Sequence, residues 1–320
     1  MTERIPETAA IWHGFDVAVI LPCYNESATI AGVIAAFQAA LDGATIHVFD
    51  NNSSDDTADV ARRAGARVVT ERRQGKGHVV RRMFAEIDAD IYVMADGDGT
   101  YDAAAAPQLV ATLIADRLDM VVGTRAGVTE DAGRRGHAVG NRLFNGLYAG
   151  MFGQDYSDIF SGYRVFTRRF AKSFPAVSRG FEIETEMSVH ASQLMLPVAE
   201  IPCAYGVRRE GSLSKLRTFR DGGRILLTFV MLLKEVRPAI FYAYVSTLLL
   251  ALTAGLGGPL VAEFLATGLV PRLPTAVLAA STGILAGLAM MCGVILDSLT
   301  RARIEQKRFA YLSHRPLPIQ

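Results

Sequence analysis

Cysteine is scarce in this chain. Cys23, Cys203 and Cys292 are odd in number and widely spaced, and no CxxC pair or Cys/His cluster exists. That argues against a disulfide framework or a zinc centre and suits a reducing compartment. Charge imbalance is missing too. Lys and Arg total 33 against 32 Asp and Glu, so no global field points to nucleic acid. Glycine-rich phosphate loops are absent. The first strand-to-helix turn reads PCYNESA, and Gly75-Lys76-Gly77 lacks both the upstream glycine spacing and the Ser or Thr of a P-loop. Met1 to Asp16 holds no apolar core long enough for a signal peptide. No internal repeat or low-complexity tract interrupts the chain. Apolar residues, by contrast, are abundant at 50%, which is high for a soluble protein.

Ile91 to Asp102, IYVMADGDGTYD, is the stretch around which the rest is organised. An apolar run ends in Asp96 and Asp98, with Gly97 and Gly99 alternating. A buried strand delivering two acids onto a glycine turn suits a divalent cation, because Mg²⁺ or Mn²⁺ takes one or two carboxylates and completes its shell with water and phosphates. An acidic surface turn without a ligand is the alternative. An EF-hand loop is excluded, since Thr100, Tyr101 and Pro107 stand where an acid, a glycine and a closing Glu are needed.

The flanking pattern decides between the two readings. Asp16 to Pro22 is a continuous apolar run, as in a strand buried on both faces. Asn25 or Ser27 can cap the helix that follows, which carries Ile30, Val33, Ile34, Phe37 and Leu41 at helical spacing. Strands are predicted at Thr45 to Asp50, Arg67 to Thr70 and Met120 to Gly123, and helices up to Ala64, from Gly75 to Ile87, and from Pro107 to Asp116. Such alternation predicts a mostly parallel sheet with helices on both faces, binding ligands beyond the C-terminal strand ends. Tyr24-Asn25-Glu26, Asp50-Asn51, Asp96/Asp98 and Thr124-Arg125 all lie at those ends. Four polar clusters converging on one crevice favour the cation site.

Beyond residue 125 the pattern changes. Arg134, Arg135, His137 and Arg142 surround a helical repeat from Leu143 to Met151. Asp158 to Arg164 leads into an apolar pair, a helix opens near Glu182, and Pro197 to Pro202 predicts a short strand. Arg208 to Lys215 is basic and rich in Gly and Ser, the kind of loop that closes over phosphates or simply sits solvated.

Ile240 to Val261 and Ala276 to Leu296 contain no charged residue. At ~1.5 Å per residue each covers the ~30 Å of a bilayer core, which predicts a transmembrane hairpin. The connecting loop has Arg272 alone. Arg217, Arg220, Arg224, Lys234 and Arg237 precede the first span, and Arg301, Arg303, Lys307 and Arg308 follow the second. The positive-inside rule then puts the catalytic region and both termini in the cytoplasm, and the expected location is the inner (plasma) membrane. Phe219 to Val236 reads as an amphipathic helix lying on the membrane or packed on the domain. The predicted organisation is a catalytic domain over 1–217, an interfacial helix over 218–238, a hairpin over 239–298 and a cytoplasmic tail over 299–320.

Taken together, LPCYNE, FDNNSSDDT, Asp96-Gly97-Asp98, Gly123-Thr124-Arg125, DIFSGYR and Arg209…Ser214-Lys215 make the chain resemble the family 2 glycosyltransferases of GT-A fold, in their polyprenyl-phosphate (dolichol-phosphate mannosyltransferase-like) branch. The resemblance covers about residues 16 to 300. It implies a Rossmann-like, mostly parallel α/β catalytic domain and inverting, metal-dependent transfer of a sugar from a nucleotide-sugar, with UDP preferred over GDP, to a polyprenyl phosphate. Pro22, Tyr24, Glu26, Phe49, Asp50 and Asn51 would form the base and ribose pocket. Asp50-Asn51 replaces the Asp-Asp of many members, so the hydrogen bond to the base is expected to move to Asp50. Asp96 and Asp98, with Gly97 between them, would hold Mg²⁺ or Mn²⁺ on the diphosphate. Arg209 and Lys215 would neutralise that diphosphate as it leaves. Arg125, Arg142 and Arg164 are the expected acceptor-phosphate ligands. Asp158 is expected in the catalytic set, orienting the acceptor or arginines, because a phosphate oxygen is anionic already and needs no strong base. Glu182, Glu184 and Glu186 can contact sugar hydroxyls or merely line a helix start.

The expected partners are the donor, the lipid phosphate and the bilayer, with no nucleic acid. Some relatives are tetramers, and Phe309 to Gln320 is a segment that can pair with a neighbouring subunit. A processive polysaccharide synthase would need a Gln-x-x-Arg-Trp motif, which is impossible when Trp12 is the one tryptophan. A glycolipid acceptor is an alternative. A non-catalytic scaffold or flippase component is another, and the intact Asp96/Asp98 pair with Arg209 and Lys215 argues against it.

Overall fold

A computed structural model describes residues 11–126, 156–178, 180, 182–206, 230 and 233–318. It divides into two compact units, Met1–Ser214 with Lys307–Gln320, and Lys215–Gln306.

The first unit is built on a seven-stranded sheet. Its strands are β1 (Val17–Cys23), β2 (Thr45–Asp50), β3 (Arg67–Thr70), β4 (Ile91–Met94), β5 (Met120–Ala126), β6 (Arg164–Thr167) and β7 (Val198–Ala204). Their order is β3-β2-β1-β4-β6-β5-β7. β6 runs antiparallel between β4 and β5, and the other pairings are parallel. Every residue of β1 and β4 is buried, which is why both read as unbroken apolar runs. Helices α1 (Ile30–Ala40), α2 (Thr57–Arg63), α3 (Lys76–Glu86), α4 (Ala106–Ala115), α5 (Arg168–Ser173) and α6 (Ile183–Leu194) accompany the strands. Ile30, Ile34, Phe37, Leu109 and Leu113 close the core on the strands, and each such side chain contributes roughly 1.5–3 kcal/mol by leaving water.

Two local features differ from expectation. The cap position of α1 is Thr29, not Asn25 or Ser27. Asn25, at φ 56°, instead accepts from Ser54 N at 2.8 Å and ties the β1 turn to the β2 turn. β5 and β7 run longer than predicted because they pair with each other along seven residues. The end of the chain packs within this first unit. Tyr311 donates its hydroxyl to Asp119 Oδ2 at 2.7 Å. Arg169 also holds Asp119, at 2.7 Å, and lies 4.6 Å over the Tyr311 ring. Lys307 donates to Gln193 at 3.0 Å, and Leu317 packs on the core.

The second unit holds α7 (Pro238–Thr267) and α8 (Leu273–Leu312), whose last residues belong to the first unit. The two apolar stretches read from sequence lie inside these longer helices. Both helices are long and apolar enough to cross a membrane. Ser246 donates to Ala286 O at 2.9 Å, and the Thr253 and Thr282 hydroxyls meet at 2.9 Å. A Cβ at Gly293 would lie 2.9 Å from Tyr242 Cβ, so a glycine lets the helices close there. Leu248, Leu285 and Met291 point outward and are exposed. The interfacial helix expected over 218–238 falls largely outside the described residues.

Candidate active site

The Asp96-Gly97-Asp98 turn leaves the end of β4 and is fixed from three sides. Asp98 Oδ1 accepts from Thr100 N at 3.1 Å and from Thr100 Oγ1 at 2.6 Å. Thr29, at the start of α1, donates to Gly97 O at 2.9 Å. A Cβ at Gly97 would stand 2.4 Å from both Cys23 Sγ and Glu26 Oε2, so only glycine allows β1 and β4 to bring their ends together. Glu26 therefore sits behind the turn, with its Oε2 buried beside the Cys23 thiol. Burial first, then Asp96 and Asp98, push its carboxyl up to about 8.

A cation from another strand end completes this group. Lys76, the first residue of α3, places Nζ 2.5 Å from Asp96 Oδ1 and 2.6 Å from Glu184 Oε1 on α6. Burial works against the ammonium, but the two carboxylates outweigh it and hold Lys76 above its ordinary range. The turn that presents Lys76 is held by Asn51. Asn51 Oδ1 accepts from Gly75 N at 2.8 Å, and its Nδ2 donates to Arg73 O at 2.7 Å and Glu71 O at 3.2 Å. Gly75 has φ 131°, open to glycine and costly for other residues. The end of β2 thus acts on the end of β4 through the β3–α3 loop.

These contacts revise two expected nucleotide contacts. Asn51 is committed to the backbone of that loop. Phe49 is a core residue at 0% exposure and offers no face to a base. Asp50, at 4% exposure, accepts from Ser53 N through Oδ2 and keeps Oδ1 without a protein partner. Pro22 is buried in β1, and Tyr24 is exposed just beyond its end.

On the other flank Arg125 and Asp158 meet. Arg125 Nε and one Nη each lie 2.7 Å from an Asp158 oxygen, a two-point fork. Burial opposes the guanidinium charge and Asp158 outweighs it. Arg125 also lies 5.7 Å over the Tyr205 ring, and Tyr205 packs edge-on against Tyr101. Tyr101 OH accepts from Gly162 N at 2.8 Å, and Gly206 N donates to Thr100 O at 2.8 Å. The end of β7 is thereby tied to the Asp-Gly-Asp turn. Asp158 is thus paired with Arg125. Arg164 departs from expectation. It is 0% exposed and donates to Ser161 O, Ile159 O and Ser188 Oγ, so it braces the loop before β6 and is withheld from any acceptor phosphate.

Glu182 occupies the exposed cap position of α6 without a capping bond. Glu186 accepts from Val177 N and Ser178 N, each at 2.8 Å, a structural use. Arg142, Arg209 and Lys215 lie outside the described residues, as do Arg134, Arg135, His137 and the helix expected at 143–151. Lys76 and its pairing with Glu184 were missed from sequence. The available signal was a lysine opening a helix directly after a strand end that faces the crevice.

Asp96 and Asp98 supply two hard oxygen ligands on one partly exposed turn, and among the described residues no group of three or more His, Cys, Asp or Glu forms a closed cage. That donor set fits a Mg²⁺ or Mn²⁺ that takes its remaining ligands from a diphosphate and water.

The sheet is thus mostly parallel with one reversed strand, and the Asp-Gly-Asp turn lies at the end of β4. Residues 18–174 match the glycosyl transferase family 2 model. The chain is 36% identical to glycosyltransferase AglJ of Haloferax volcanii over 91% of this chain and 96% of that one. It is 28% identical to a dolichyl-phosphate hexose transferase of the same organism, over 69% and 96%. Glucosyl-3-phosphoglycerate synthase of Mycobacterium tuberculosis, solved with Mn²⁺, UDP-glucose and phosphoglyceric acid, superposes with a TM-score of 0.57 at 26% identity, covering 71% of this chain and 82% of that one. The chain belongs to glycosyltransferase family 2 and is a glycosyltransferase.

Proposed function

We propose that this enzyme transfers one sugar from a nucleotide-sugar, UDP-linked in preference to GDP-linked, to a polyprenyl phosphate at the cytoplasmic membrane face. The observation that carries the reading is the Asp96-Gly97-Asp98 turn at a sheet crevice flanked by the Arg125–Asp158 fork, in a chain that also holds two membrane-length helices. A dolichyl-phosphate hexose transferase among the relatives supports a lipid-phosphate acceptor, and a structural neighbour with UDP-glucose and Mn²⁺ supports the donor and cation.

Asp96 and Asp98 would hold Mg²⁺ or Mn²⁺. When bound, that cation stabilises the charge that grows on the departing diphosphate. Tyr24, Glu26 and Asp50 would line the nucleoside side, with Asp50 Oδ1 accepting from ribose or base. Asp158 would keep Arg125 aimed at the acceptor phosphate, with Arg142 beside it. The attacking phosphate oxygen is already anionic, so no side chain need remove a proton. Arg209 and Lys215 would compensate the leaving diphosphate. Attack from the far side of the anomeric carbon gives a β-linked product from an α-linked donor. The proposed membrane hairpin brings this catalytic region to the bilayer where the lipid head group lies.

Thermal-shift measurements on full-length protein in detergent, with UDP- and GDP-sugars in the presence of Mn²⁺, test the donor half. Stabilisation by a UDP-sugar that depends on Mn²⁺ is expected, and no stabilisation by any nucleotide-sugar would sink it.

A further inference from the structure

The Lys76–Glu184 pair is more than packing. Lys76 Nζ sits between Asp96 Oδ1 and Glu184 Oε1 at 2.5 and 2.6 Å, with its side chain 8% and that of Glu184 5% exposed. A Cβ at Gly162 would stand 3.0 Å from Asp96 Oδ2 and 3.1 Å from Lys76 Nζ, so the backbone before β6 encloses the pair from another side. Asp96 thus arrives at the cation site with its charge already engaged by an ammonium. Glu184 takes part of that ammonium's charge and leaves Asp96 only partly compensated.

We propose that Lys76 and Glu184 are positioning residues that set how strongly the Asp96/Asp98 turn holds a divalent cation, making it weak for the bare ion and strong for the ion carried on a nucleoside diphosphate. This rests on the glycosyltransferase reading of the site. A bare cation must compete with Lys76 for Asp96. A cation bound to a diphosphate brings negative charge that Lys76 attracts, so the same ammonium then helps. The two residues should therefore act in opposite directions. Removing Lys76 leaves Asp96, Asp98 and Glu184 uncompensated and tightens the bare ion while weakening the diphosphate complex. Neutralising Glu184, while keeping an acceptor for Lys76, commits the ammonium to Asp96 and weakens the bare ion.

The test is Mn²⁺ binding to the full chain in detergent, followed by electron paramagnetic resonance, with MnCl₂ alone and with UDP or GDP added. Lys76→Met is expected to bind bare Mn²⁺ about fivefold more tightly, and to lose about tenfold of the gain in Mn²⁺ affinity that the nucleotide confers on the wild type. Glu184→Gln is expected to bind bare Mn²⁺ about threefold more weakly. A structural role alone would move both variants the same way together with their melting temperatures. Unchanged bare-ion affinity in either variant, or shifts of the same sign, overturns the proposal. Should Lys76→Met fail to fold, the Glu184→Gln shift decides. Wild-type protein that binds Mn²⁺ neither alone nor with either nucleotide overturns the reading of the site itself.

Discussion

Asn51 grips the turn at Gly75, accepting from its N–H at 2.8 Å while donating to Arg73 O at 2.7 Å. Lys76, the next residue, reaches Asp96. A side chain at the end of one strand therefore sets the cation partner of an acid at the end of another. Asn51→Asp keeps the size but loses the amide donor and turns a carboxylate oxygen toward two carbonyls. The expected cost is about 2 kcal/mol of stability, with weaker Mn²⁺–UDP binding. Thermal melting and a nucleotide titration check this, and an Asn51→Asp protein that matches the wild type in both would remove the link.

Asp158 and Arg125 form a two-point fork, and the account gives the pair to the acceptor side. Asp158→Asn should raise the acceptor KM by about tenfold, because the guanidinium loses its charged partner and its aim. The donor KM should stay near the wild-type value. Equal damage to donor and acceptor terms would move the pair out of that role.

Much of this site was legible in the sequence for one reason. An apolar run that stops at two acids, as Ile91 to Asp98 does, fixes both the strand and the position of its chemistry. The Asp-Gly-Asp turn, the β1 and β2 strand ends and the membrane-length stretches follow from such local patterns. The parts that eluded it depend on pairing across the sheet. Phe49 reads as part of the base and ribose pocket, but it is fully buried on the face of β2 opposite Ile46 and Val48. Arg164 reads as a phosphate ligand, and only the antiparallel insertion of β6 shows it buried among carbonyls. Asn51 looks like a weakened nucleotide contact until the carbonyls of Glu71 and Arg73 are placed beside it. Tyr311 reads as part of a tail, and its partner Asp119 lies 192 residues away in the chain.

Buried His190 gives the catalytic unit an acid-sensitive limb. It packs edge-on against Phe170 and Phe174 with Nε2 3.1 Å from Ser173 Oγ, and burial followed by Lys307 pushes it down to about 3. A histidine depressed in the fold takes up its proton more readily when unfolded. Stability is therefore present above the ordinary histidine range near pH 6.5 and declines as pH falls through the window toward 3. The slope approaches about 1.4 kcal/mol per pH unit. His190→Leu should flatten that limb in melting curves between pH 6.5 and 4, and an unchanged slope would assign it elsewhere.

Tyr311 ties the chain end to the catalytic unit through Asp119. Tyr311→Phe removes one hydroxyl and leaves Arg169 on Asp119, for an expected loss of about 1 kcal/mol. Tyr311→Ala also removes the ring beneath Arg169 and should cost about 3 kcal/mol. Urea or thermal unfolding of the two variants reads the difference. Equal losses would mean that the ring contributes nothing.

The most direct test of the central claim is transfer itself. Full-length protein, with Mn²⁺ or Mg²⁺, a set of UDP-sugars and GDP-mannose and undecaprenyl phosphate, should yield a lipid-soluble sugar phosphate with inverted anomeric configuration, and Asp98→Ala should lower the rate by about three orders of magnitude while melting like the wild type. Unchanged turnover in Asp98→Ala, or a glycolipid glycosylated while undecaprenyl phosphate is left untouched with every donor, would contradict the account.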